Sequence, residues 1–157
     1  MESVGEAPRA LKLALNVAGH SRGVSSVAFA HDCVHLALAA KDGAWSVVKT
    51  DVRYDLKVEA KEHARGAAPG KPFDLVALSP FATRLVGACA SSVTIVDVAA
   101  AARGRGGTLS VVDTMPTMHA GVSALQFSGD GLRVLSGGAD GKLRLWRVAE
   151  DEKAGTV

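Results

Sequence analysis

The sequence predicts an all-β protein assembled from repeated antiparallel meanders, and three observations carry that reading. Short stretches that alternate apolar with polar or small residues recur along the 157 residues. Asp-Gly pairs separate several of them, and glycine takes the positive φ of a tight hairpin without penalty. The group of three stretches then repeats at intervals of roughly 40–45 residues.

The clearest group comes last. Val122 to Phe127 alternates as a half-buried strand should; Arg133 to Ser136 follows the turn Gly129-Asp130-Gly131, and Lys142 to Trp146 follows Asp140-Gly141. Three short strands in so few residues make a meander, since a parallel pair needs a long crossover. The same layout occurs at Val24 to Phe29, Val34 to Ala39 and Ala44 to Val48, with Asp42-Gly43 in the second turn. A third copy runs Leu75 to Ser79, Arg84 to Cys89 and Ser92 to Val96. Further strands are expected at Leu11 to Val17 and Thr108 to Thr114, each just ahead of a repeat. Lys57 to Lys71 is mixed-charge with Gly66, Pro69 and Gly70, and Ala99 to Gly107 ends in Arg-Gly sequence; both read as mobile surface loops. The Ala99 to Ala102 run is too short to count as a helix signal. Repetition of a meander on this scale predicts a β-propeller of about three four-stranded antiparallel blades. Their expected bounds are about 10–56, 57–98 and 108–148, between a disordered segment 1–9 and a polar tail 149–157. Three blades do not close a ring, and two apolar blade faces would be left bare. The chain is therefore expected to be part of a seven-blade ring, its missing blades coming from a longer chain or from another copy.

Composition narrows the function. Apolar residues make up 48% against 22% charged, which argues for a packed core, and a net charge of +2 gives no bulk attraction for nucleic acid. Two cysteines, Cys33 and Cys89, make no disulfide framework and fit a reducing compartment. The opening residues lack the apolar core of a signal peptide, and no apolar stretch approaches the ~20 residues that span a bilayer. Neither a phosphate loop, a G-x-S-x-G elbow nor an H-E-x-x-H helix occurs, so no enzyme is expected and no cofactor is implied. His31-x-Cys33-x-His35 has ligand-type residues, yet it crosses a hairpin turn without a second cluster at zinc spacing; metal binding is not expected.

The final repeat carries a more specific pattern: His119, Val122, Phe127-Ser128, Asp130-Gly131, Ser136-Gly137, Asp140-Gly141 and Leu145-Trp146. In these residues the chain resembles the WD40 family. The resemblance implies a buried hydrogen-bonded chain through His119, Ser136, Asp140 and Trp146, in which each polar group satisfies another. Arg147 stands where an Asp commonly follows the Trp. The first repeat keeps His20 and Asp42, which can still pair, but Leu38 and Val48 take the Ser and Trp positions. A narrower similarity, to the transducin beta-like branch, rests on Gly19-His20-Ser21, Lys41-Asp42-Gly43-x-Trp45, Thr50-Asp51-Val52-x-Tyr54 and Leu78-Ser79-Pro80. It implies a scaffold on the cytosolic face of the endoplasmic reticulum that partners a stress-responsive kinase, with an apolar anchor that this sequence does not contain. Trp45, at a strand start, is a candidate anchor for protein partners on an exposed rim, with core packing the alternative. Arg103 and Arg105, in an Arg-Gly loop, are candidates for RNA contact; a single copy without aromatics is a weak form of that signal.

Overall fold

A computed structural model describes residues 16–52, 58–103, 111–117 and 119–148. Three antiparallel sheets follow one another along the chain. Blade A comprises β1 (Val24–Phe29), β2 (His35–Ala40), β3 (Ala44–Val52) and β4 (Val58–Ala67). Blade B comprises β5 (Leu75–Leu78), β6 (Arg84–Cys89), β7 (Ser92–Asp97) and β8 (Val111–Pro116), with a short helix α1 (Val98–Ala102) after β7. Blade C has β9 (Val122–Phe127), β10 (Arg133–Gly138) and β11 (Leu143–Arg147), with no fourth strand among the described residues. Strands pair in sequence order within each blade. The first strands stand side by side, β1 against β5 and β5 against β9, so they form the inner wall of an arc.

Two sequence expectations are corrected. The stretch read as a loop at 57–71 contains β4, which pairs with β3 from Val52↔Val58 to Ala44↔Ala67. Its sequence VEAKEHARGA is charged because an outermost strand needs little apolar surface. The expected loop at 99–107 begins with α1, which Asp97 caps by accepting a hydrogen bond from the Ala100 N–H at 2.8 Å. Blade boundaries shift accordingly. The strand just ahead of a repeat completes the preceding sheet: β4 precedes the second repeat and β8 the third.

Blades stack through alternating faces. One face of blade A, with Ala37, Ala39, Trp45 and Val47, packs on Phe73, Leu85 and Val96 of blade B. The opposite face of blade B, with Val86, Ala88 and Val93, packs on Val134 and Trp146 of blade C. Hydroxyls tie the first two inner strands: Ser25 donates to the Phe73 carbonyl at 2.7 Å, and Ser26 accepts from the Val76 N–H at 3.1 Å. At the matching point of each first turn, Cys33, Ala82 and Gly131 all have positive φ, of 58°, 54° and 73°. Only blade C places a glycine there, so blades A and B carry some strain at this turn.

Candidate functional site

Blade C holds a continuous chain of polar groups. The Trp146 indole N–H donates to Ser136 Oγ at 2.8 Å, and Ser136 Oγ lies 3.0 Å from His119 Nε2. His119 Nδ1 lies 2.8 Å from Asp140 Oδ1. An ionised carboxylate only accepts, so Nδ1 carries the proton and Nε2 takes the Ser136 hydroxyl proton. Ser136 and the His119 side chain are fully buried, where an unpaired polar group would be costly. Arg144 adds a fifth member: it lies against the His119 ring and donates to Asp140 Oδ2 at 2.9 Å. That bond from Arg144, with those from His119 and the Lys142 N–H, holds the Asp140 carboxyl well below the usual carboxylate range. Gly138 makes room, since a Cβ there would collide with the His119 ring.

Blade A builds a shorter version. His20 Nε2 reaches Ser46 Oγ at 3.0 Å, while its Nδ1 stands 3.5 Å from Asp42 Oδ2, too long for a good hydrogen bond. Ser46 lies opposite Leu38, as Arg144 lies opposite Ser136. The hydroxyl missing from β2 has therefore moved to the adjacent strand, a compensation the sequence reading missed. Asp42 accepts from the Ala44 N–H at 3.0 Å and the Ser21 N–H at 2.9 Å, which hold its carboxyl down at about 2. In blade B, Phe73 lies on Gly87, the position equivalent to Ser136, at a distance that a Cβ would close. An aromatic ring on a glycine thus replaces the polar chain there.

Trp45 requires correction as a rim anchor. It is wholly buried against Gly66, facing blade B, and its indole N–H has no hydrogen-bond partner. Arg103 is exposed at the C-terminal end of α1, and Arg105 lies outside the described residues. His35, from the His-x-Cys-x-His stretch, binds Asp32 at 2.6 Å and meets the His63 ring edge-on at 5.2 Å. Among the described residues no cluster of ligand-type side chains has metal-site geometry.

A surface feature the sequence did not reveal lies where the inner strands end. Phe29, Leu78, Pro80, Leu125 and Phe127 line a cleft of about 550 Å³ that crosses all three blades. Beside it Phe81 projects from the β5–β6 turn, 79% exposed.

The repeat geometry and the buried chain together define the class. The model of the WD40 family, "WD domain, G-beta repeat", matches residues 11–47 and 98–147, and this chain belongs to that family. In particular it is similar to human Transducin beta-like protein 2, 40% identical over 87 residues. That match takes in 51% of this chain and 19% of the relative's length. Repeats of this family generally act as non-catalytic scaffolds for protein–protein interaction. No helix among the described residues is long and apolar enough to cross a membrane.

Proposed function

We propose that this chain is a protein-interaction scaffold whose partner surface is the cleft between the β1–β2, β5–β6 and β9–β10 turns. The observation that carries this reading is the exposed Phe81 beside a cleft lined by Phe29, Phe127 and Pro80. Large apolar side chains held exposed on rigid turns favour protein contact, because aromatic anchors bury much area at little entropic cost. The transducin beta-like resemblance supports a stress-responsive kinase of the endoplasmic reticulum as the partner, and a role in that stress response.

A photo-crosslinking residue placed at Phe81 or at Lys41 tests the surface, since Lys41 lies in the β2–β3 turn at the other end of its blade. The expected result is partner adducts from position 81 and few from position 41. Adducts from 41 alone would reject the cleft. RNA contact through Arg103 is the second reading, supported by the exposure of that guanidinium. Crosslinking to RNA that survives Arg103→Ala with Arg105→Ala would remove it.

A further inference from the structure

Three basic residues share one rung on the outer side of blade A. His35 on β2 stands opposite Lys49 on β3, and Lys49 stands opposite Lys61 on β4. Beyond that rung Val48 faces Glu62 and Val47 faces Ala64, so His63 is the extra residue of a bulge. There its ring meets the His35 ring edge-on, with centroids 5.2 Å apart.

The acids around this pair are committed elsewhere. Asp32, in the β1–β2 turn, accepts from His35 Nδ1 at 2.6 Å and from the Val34 and His35 N–H groups at 2.8 and 2.9 Å. Glu62, next to His63 in sequence, lies 3.5 Å from Arg65. Asp51 and Glu59 oppose each other two rungs further along the ladder. α1 packs on β4 from blade B, and its residues Val98 to Ala102 are all apolar. Asp97 at its start accepts from the Ala100 N–H, and Arg103 at its end is exposed. A proton on His63 therefore meets the His35 ring and the Lys49 ammonium, with no carboxylate of its own among the described residues.

The same strand holds apolar parts of the blade in place. Ala64 shares a buried cluster with Val98 and Ala101 of α1, and Gly66 lies on the buried Trp45 ring. We infer that β4 is a pH-sensitive latch: protonation of His63 beside His35 and Lys49 loosens the strand from β3, uncovering Trp45 and opening the edge of β3. Partial burial, the His35 ring and Lys49 hold the His63 imidazole below its ordinary value of 6.5 while the strand is closed. The open strand thus binds the proton more readily, so closure is favoured above pH 6.5 and weakens as pH falls through that value. This range lies above the one in which Asp42 and Asp140 lose their charge, and the device is separate from the Phe81 cleft.

Hydrogen exchange of the full chain, followed by mass spectrometry and corrected for the intrinsic effect of pH, tests the latch. From about pH 7.5 to about pH 5.5 the opening of the β4 amides should rise roughly three- to tenfold, tenfold being the effect of moving a group's pKa by one. The amides of β6, in a blade without histidine, should not change. His63→Gln, a neutral replacement at an exposed position, should keep β4 equally closed at both values. Lys49→Gln should lessen the rise by removing one of the two groups that repel the proton. Equal protection of β4 at both values in the unaltered chain would overturn the inference. So would a rise that persists in His63→Gln, one undiminished in Lys49→Gln, or one shared by β6.

Discussion

Blades A and C share one backbone plan and solve its polar problem differently. In blade C the His119 imidazole is satisfied at both nitrogens, by Ser136 and Asp140, and the chain extends to Trp146 and Arg144. In blade A the imidazole of His20 has one good bond, and the only tryptophan of the blade is elsewhere, packed on Gly66 with an unpartnered N–H. Blade C is therefore specified by mutually dependent hydrogen bonds, and blade A by close apolar packing. The difference tracks their settings. Blade A has a fourth strand and a covered far face, so packing is available to it; blade C lacks both among the described residues.

That contrast can be broken from either side. The largest effect is expected from Gly66→Val, because a Cβ would sit 2.4 Å from the buried Trp45 ring. Displacing that ring should cost about 3–5 kcal/mol, as emptying a buried tryptophan site does, with the loss seen in urea unfolding. Next comes Ser136→Ala, which strands His119 and Trp146 together and should cost about 2–3 kcal/mol. Ser46→Ala removes only one partner, from His20, and should cost about 1 kcal/mol. Equal losses for the two serines would mean that the longer chain in blade C has no cooperative role.

Acid sharpens the comparison further. The Asp42 and Asp140 carboxyls are both depressed in the folded protein, so each stabilises the fold above its ordinary value of 3.8 and stops doing so as pH falls through its folded value. Stability should drop between about pH 4 and pH 2, followed by urea midpoints across that range. Asp140→Asn should flatten part of the drop. An identical pH profile for this variant would show that the carboxylate contributes no linkage. The smallest effect is a gain. Ala90 closes the β6–β7 turn at φ 50°, whereas blades A and C have Gly43 and Gly141 in the equivalent turns. Ala90→Gly should stabilise the protein by up to about 1 kcal/mol, read as a raised melting temperature.

How much of this was legible in the sequence follows from the kind of interaction involved. Strands with one buried face announce themselves by period-two alternation, as Val122–Phe127 does, and Asp-Gly turns fix their spacing. His119, Ser136, Asp140 and Trp146 were readable because a satisfied network demands particular residue types at particular distances. β4 was not, since on an outermost strand charged residues such as Lys61, Glu62 and Arg65 can be held exposed at little cost. Nor was the Phe73–Gly87 contact of blade B, where any large ring over any small residue does the same work. Trp45 sat between two readings, and only the approach of Gly66 across the strand pair decided for burial. The cleft beside Phe81 needs three blades side by side, so no local pattern records it.

The most direct test is the tautomer and ring-proton exchange of the two blade histidines, read from imidazole nitrogen resonances. The bond to Asp140 places a ring proton on His119 Nδ1, with Nε2 accepting from Ser136, and that proton should exchange slowly with water. His20 should exchange its ring proton much faster, because its Nδ1 lies 3.5 Å from Asp42. Slow exchange at His119 and fast exchange at His20 is the predicted result. A proton fixed on His119 Nε2, or equal exchange at both rings, would contradict the polar chain that sets blade C apart.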